Sequence, residues 1–327
     1  MHPEVSIVIA VFNAGCTLER MVRSIRAQTY RSFEVIIVDD GSTDGGKTAE
    51  TIERLASEEP RIRHVKVPNG GPSSARKTGI DLARGKWVYI CDQDDFLHPQ
   101  LLEYAVRTLM RESAEILMFR HSVQDDDSRD PSFPPIGDID STPVRTFDLG
   151  KPEGMRGFIS SARLDVWEVF AERGAVGAVS WRRGGYDTSF VFKLMRMAKK
   201  AVLSPLELYS YNRAVSASMS RRPISVKDVE SLHAQILEYA AVFSREIRSG
   251  DRDGIWGAVR RHVVAGSVKR RLKPIALLAK SDRQAAREVR RALAAALSDL
   301  RGRGVLRLSD LRLRPRILIA WMLMRYR

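Results

Sequence analysis

Cysteine is almost missing from this chain: Cys16 and Cys91 are the two in 327 residues. Two thiols cannot build a disulfide framework or a zinc site, and they suit a reducing compartment. Long apolar runs are missing too. No stretch reaches the roughly 18 residues that a membrane-spanning helix needs. Met1-His2-Pro3-Glu4 shows neither the basic start nor the apolar stretch of a secretory signal, so a cytoplasmic location is expected. Glycine-rich phosphate loops are lacking. The turn Val11-Phe12-Asn13-Ala14-Gly15 carries no dinucleotide fingerprint, and the glycines at 70 and 71 do not have Walker spacing. What remains is ordinary for a soluble globular protein, with 44% hydrophobic and 29% charged residues. The length suits about two domains, or one large domain with an appendage.

Charge is unevenly placed. Residues 221–327 hold 25 Lys and Arg against 10 Asp and Glu, a net of +15, while residues 1–220 hold 29 against 30. The basic excess therefore belongs to the last third and points to an anionic partner for that part alone. Nucleic acid is not expected. The excess lies in amphipathic helices with few interleaved aromatics, and no nucleic-acid module is readable.

The N-terminal two thirds alternate. Val5–Val11 is a β-branched run that reads as a buried strand. Leu18, Met21, Val22 and Ile25 then fall on one helical face. Phe33–Val38 is a second apolar strand, followed by a helix to about Ser57 and a third strand at His64–Val67. Strand and helix in strict alternation predict an α/β fold with a mostly parallel sheet and right-handed crossovers. Leu164–Phe170 reads as a short helix, and Ala201–Tyr211 as a late strand pair. The acidic and proline-rich stretch over 120–150 reads as a long loop or edge hairpin.

Chemistry collects at the strand ends. Trp87–Cys91 runs straight into Asp92-Gln93-Asp94-Asp95, three carboxylates within four residues. Carboxylates crowded at the end of a buried strand repel one another and resist burial. A divalent cation relieves both costs, and hard oxygen ligands suit Mg²⁺ or Mn²⁺. Such a cluster also occurs as a solvated acidic turn. Asp39-Asp40-Gly41 ends the second strand. Its carboxylates can accept from a base N–H or ribose hydroxyls, or serve only the turn that Gly41 permits. Gly71-Pro72-Ser73-Ser74-Ala75-Arg76-Lys77 opens a helix whose free N–H groups and basic pair make a phosphate site or a plain helix start.

These segments, in this order and spacing, resemble the family-2 glycosyltransferases. They are Val38-Asp39-Asp40-Gly41-Ser42-Thr43-Asp44, Gly71–Arg76 and Asp92-Gln93-Asp94-Asp95, with Phe12-Asn13 where the family often has Tyr-Asn. The resemblance covers roughly residues 4–220. It implies the GT-A fold, a Rossmann-like sheet that binds a nucleotide-sugar. By resemblance, the backbone from Ala10 through Val11 to Phe12 and Asn13, together with Asp39, Asp40 and Gly41, would hold base and ribose. Arg76 and Lys77 would lie near the donor. Asp92, Gln93 and Asp94 would match the motif that meets metal and diphosphate, with Asp95 beside them as a third metal ligand. Asp187 would match the catalytic base of an inverting transfer. Tyr186 departs from the glutamate usual before it, which keeps an inactive sugar-binding or scaffolding relative in view. Tyr211-Asn212-Arg213 and Ser216-Ala217-Ser218 resemble a closing segment, with Arg213 as a donor-facing cation. The implied donor is a nucleoside-diphosphate sugar, most often a UDP-sugar. The implied acceptor is a hydroxyl of a glycan or lipid-linked acceptor in cell-surface polysaccharide synthesis.

From Ser225 helices take over, and two domains are expected, 1–220 and 221–327. Val229, Leu232, Ile236, Leu237 and Ala240 mark one amphipathic helix, and Ile255–Lys273 a second. A third is capped at Ser281-Asp282 and runs to about Leu300. Residues 311–327 put eight apolar residues between arginines, with Trp321 and Tyr326. That pattern suits an interfacial helix on an anionic membrane surface, peripheral on the inner face of the cell membrane, or a terminal helix docked on the protein.

Overall fold

The computed structural model describes residues 2–15, 17–126, 130–180, 187–214, 224–249, 254–268, 275 and 282–307. Tyr186, Ser216-Ala217-Ser218, Ser281 and the helix expected over 311–327 lie outside the described residues. The chain forms two compact units, Met1–Gly154 with Ala162–Ser218, and Met155–Ser161 with Met219–Arg327.

The first unit is built on one sheet. Its strands are β1 (Val5–Val11), β2 (Phe33–Asp39), β3 (Ile62–Lys66), β4 (Trp87–Asp92), β5 (Phe96–Leu97), β6 (Ile116–Gln124), β7 (Arg145–Asp148), β8 (Val169–Glu172) and β9 (Lys200–Asn212). The order across the sheet is β3-β2-β1-β4-β8-β6-β9-β5, with β7 on β9. β1 to β4 are parallel to one another, as the sequence pattern predicts; β8 runs antiparallel between β4 and β6. Mostly apolar runs form β1 and β2 because both faces are covered. Val5, Ile7, Ile9 and Val11 share a core with Leu18, Met21, Val22 and Ile25 of α1 (Leu18–Arg26). α2 (Lys47–Glu58) and α4 (Leu101–Glu112) add Ile52, Leu55, Leu101, Leu102 and Ala105 to it.

The other face of β1 and β2 is covered by α3 (Pro72–Leu82). Gly79 sets how closely it packs: a Cβ there would stand 2.3 Å from Val8 Cγ1. Pro72 at the first turn and Gly71 at φ +85° before it start the helix. Arg76 lies one turn before Gly79 and therefore on the same, sheet-facing side.

Three local expectations are corrected. Leu164–Phe170 is not a helix. A 3₁₀ turn at Val166–Glu168 leads directly into β8, whose Val169, Phe170 and Ala171 pair with Met118, Leu117 and Ile116. Pairing on both sides overrides a spacing too short to fix a helix. The late strand pair is one strand, β9. It carries exposed Pro205 past the point where the β6 register shifts around Arg120, a place where proline is tolerated. Within 120–150, β6 extends to Gln124 and β7 pairs with β9 over Arg145–Asp148.

Between these strands lie α5 (Pro152–Ser161), α6 (Arg173–Gly177) and α7 (Asp187–Met197). The second unit continues with α8 (Val226–Val242), α9 (Ser244–Arg248) and α10 (Ile255–Ala258), which runs into a π-helical stretch at Val259–Val264. A Ser225–Asp228 capping box starts α8. The last described helix, Arg283–Gly302, has Asp282 as its N-cap and packs on α8. Buried Val229, Leu232 and Ile236 form the apolar face of α8; Val289, Leu293, Leu297 and Leu300 form that of the last helix. Among the described residues, no helix is long and apolar enough to cross a membrane.

Candidate active site

Register places the chemistry. Ala10 pairs with Asp92, and Val11 with Asp39, so three parallel strands end side by side. Open α/β sheets bind ligands at these carboxyl ends. Phe12, 43% exposed, stands on the rim. Gln93 locks the Phe12 backbone in both directions: Phe12 N–H donates to Gln93 Oε1 at 2.8 Å, and Gln93 Nε2 donates to Phe12 O at 3.3 Å. Asn13, in the left-handed region at φ +52°, is tied to the next loop. Its N–H donates to Ser42 Oγ at 2.9 Å, and its Oδ1 accepts from Thr43 N–H at 2.9 Å.

Asp39 and Asp40 are both buried. Asp39 Oδ1 accepts from Ser42 N–H at 2.9 Å, and Lys66 Nζ lies 3.6 Å from Oδ2. Asp40 Oδ1 accepts from Gly70 N–H at 2.7 Å, which joins the β2 turn to the loop before α3. Gly41, at φ +70°, packs so tightly on Asn69 that a Cβ would approach its backbone nitrogen to 2.8 Å. The turn therefore admits glycine alone.

Arg76 is the centre of the site. Its side chain is 6% exposed and reaches two carboxylates. One Nη donates to Asp92 Oδ1 at 2.7 Å, and the other to Asp187 Oδ1, 111 positions along the chain. Asp187 opens α7, so the helix start aims its carboxylate at Arg76. Both carboxylates keep about a third of their surface open, at 28% for Asp92 and 31% for Asp187. Burial pushes the Asp187 carboxyl above the ordinary aspartate value. The Arg76 charge opposes that push, and Asp92 adds to it. A partly exposed carboxylate of raised basicity can take a proton from a hydroxyl.

The acidic turn splits by direction. Asp94 is partly exposed, and its carboxyl is pushed up to about 6 by burial and by the neighbouring Asp92 charge. Asp94 beside the Asp92 charge gives an oxygen donor pair that a divalent cation would hold charged. Asp95 instead turns fully inward. Its Oδ2 accepts from the Tyr209 hydroxyl and its Oδ1 from Asn212 N–H at 2.7 Å. It anchors the turn from below, whereas the sequence pattern places it beside the metal. With both oxygens taken up inside the protein, Asp95 is no part of the donor pair.

Two further expected residues stand apart. Lys77 pairs with Asp81, one turn along α3 on its outer side. Arg213 makes a two-pronged pair with exposed Asp125, at 2.7 and 2.6 Å. Tyr209 was invisible as a site residue. Besides donating to Asp95, it accepts from Asp92 N–H at 3.3 Å, so one hydroxyl spans the acidic turn. Burial and the nearby Asp95 charge hold its phenol well above the usual tyrosine value, which keeps it a donor. Its only sequence cue was the Tyr209-Ser210-Tyr211 alternation of a half-buried strand.

The family model for glycosyl transferase family 2 matches residues 6–154. An uncharacterized glycosyltransferase of Haemophilus influenzae is 24% identical over 220 residues, which are 67% of this chain and 82% of that protein. Among solved structures, Staphylococcus aureus TarS 1-349 in complex with UDP-GlcNAc superimposes with a TM-score of 0.65 at 16% identity. That match covers 99% of this chain and 88% of the other. The mannosyltransferase PcManGT of Pyrobaculum calidifontis, in complex with GDP-Man and Mn²⁺, gives 0.51 at 18% identity, over 99% and 84%. The fold is that of the GT-A structures.

Proposed function

Because the chain is a family-2 glycosyltransferase, we propose that it moves a sugar from a nucleoside-diphosphate sugar to a hydroxyl acceptor with inversion at the anomeric carbon. One observation carries the reading. Arg76 gathers Asp92, from the acidic strand end, and Asp187, from the start of α7, into one partly exposed cluster. A base and a diphosphate-side carboxylate pair are the two halves such a displacement needs. The loops at Phe12–Asn13 and Asp39–Gly41 form the base and ribose end. Asp187 takes the acceptor hydroxyl proton as that oxygen bonds to the anomeric carbon and the nucleoside diphosphate leaves.

Asp92 and Asp94 are the residues that would hold Mn²⁺ or Mg²⁺. Their hard oxygen donors and the raised Asp94 carboxyl fit such an ion. When bound, the ion offsets charge that builds on the departing diphosphate. Arg76 is the chain's own cation at the same place. A UDP-sugar is the favoured donor, supported by the UDP-GlcNAc complex of the TarS match. A glycan or lipid-linked acceptor is favoured, with the basic residues 221–327 serving attachment to an anionic membrane face.

Calorimetry of UDP, GDP, CDP and dTDP, each with Mn²⁺ and with EDTA, tests the donor reading. Micromolar, metal-dependent binding of one nucleotide is expected. Binding of none would overturn it.

A further inference from the structure

A second polar cluster lies along the sheet from Asp92. β8 is flanked by β4 and β6, and the 3₁₀ turn just before it carries Glu168. Glu168 is fully buried. Its Oε1 faces His121 Nδ1 on β6 at 2.7 Å, and its Oε2 has no hydrogen-bond partner among the described residues. Asp165 begins the same turn. One ligand atom each from His121, Asp165 and Glu168 lie within 4.8 Å of one another.

A buried carboxylate oxygen without a partner costs stability and calls for an unseen water or ion. Two carboxylates and one imidazole nitrogen are a donor set that a cation can use. The ligands are also held in place. Trp167, between the two carboxylates in sequence, stacks on Tyr211 at 5.9 Å, and its carbonyl accepts from the Tyr89 hydroxyl at 2.9 Å. The His121 ring meets the edges of Trp167 and Tyr211 at 6.4 and 6.3 Å. Rings fixed in this way fix the direction of Nδ1.

We propose that His121, Asp165 and Glu168 form a second divalent-cation site, separate from the Asp92–Asp94 pair. One imidazole nitrogen and two carboxylate oxygens select a borderline ion, Zn²⁺ ahead of Mn²⁺, and disfavour Mg²⁺. A metal on Nδ1 takes the neutral imidazole, with the ring proton carried on Nε2. Arg163, whose Nη1 lies 3.5 Å from Nε2, stands on the solvent side of the ring. The site goes beyond the donor reading, and its test counts metal without nucleotide or turnover.

The experiment uses the full chain carrying Asp94→Asn, which disables the donor-side pair. After metal removal and equilibrium dialysis against Zn²⁺, bound zinc is counted by mass spectrometry. Adding Glu168→Gln should remove one equivalent, and His121→Gln should do the same in protein whose circular dichroism is unchanged. Co²⁺ in place of Zn²⁺ should give visible absorption bands that Glu168→Gln abolishes. An unchanged zinc count in both variants, or no zinc and no cobalt bands before either change, would overturn the proposal and leave His121 and Glu168 as a hydrogen-bonded pair.

Discussion

Arg76 holds Asp187 by a direct charged hydrogen bond while its other Nη holds Asp92 at 2.7 Å. The expected base and the expected diphosphate-side carboxylate are thus joined through a single buried cation. Burial raises the basicity of Asp187 and Arg76 restrains it. A donor phosphate arriving near Arg76 would compete for that guanidinium and release part of the restraint.

Asp187→Asn removes the base and keeps the shape. Transfer should fall by about 10²–10⁴-fold, the range for a positioned general base. Nucleotide affinity by calorimetry should stay largely unchanged. Full transfer by the variant would exclude Asp187 from the role.

Arg76→Met leaves two carboxylates facing each other. Breaking a buried pair costs about 3–5 kcal/mol, and the one-third exposure of both acids places this case at or below about 3 kcal/mol. Denaturant unfolding should show that loss, and transfer should fall with it. Arg76→Lys keeps the charge but not the fork, so it should recover stability more than activity. Equal recovery of both would argue against a two-armed role.

Glu34 governs an acid-sensitive part of stability at the opposite strand ends. Burial works against its charge. Hydrogen bonds from Ser6 Oγ and Arg84 N–H, both 2.8 Å, and from Arg63 at 2.9 Å overcome that and hold its carboxyl below the ordinary 4.5. A depressed folded-state value stabilises above the unfolded value, and the gain is lost as pH falls from about 4.5 through the folded one. Glu34→Gln should therefore be less stable than the parent at neutral pH, and the gap should narrow as pH falls below about 4.5. A constant gap down to pH 3, measured by urea unfolding, would refute this.

Tyr209→Phe removes one hydroxyl and two hydrogen bonds, to Asp95 and from Asp92 N–H. With Asp95 left buried, about 1–3 kcal/mol of stability should go. Mn²⁺-dependent nucleotide binding should weaken as the turn loosens. Asp95→Asn added to Tyr209→Phe should restore part of the stability by removing the stranded charge. No restoration would show that Tyr209 acts by packing alone.

The parallel half of the sheet was legible because β1, β2 and β4 are apolar runs that end in acidic or amide turns. The strand-end carboxylates were legible for the same reason. β8 was not, since four residues become a strand only by pairing with Tyr89 on one side and with Leu117 and Met118 on the other. Asp95 and Asp94 look alike in sequence; which one turns inward depends on Tyr209, 114 positions away from Asp95. Arg76 and Lys77 are adjacent, yet helix geometry separates them by about 100°. The phase of α3 sends one to Asp92 and Asp187 and the other to Asp81.

That phase and depth trace back to Gly79. Val8 leaves no room there for even a methyl group. Alanine would lift α3 from the sheet and draw Arg76 out from between Asp92 and Asp187. A position with no side chain and no charge thus sets the reach of the charged one. In a mutational scan read only by turnover, Gly79 would score like a member of the catalytic group.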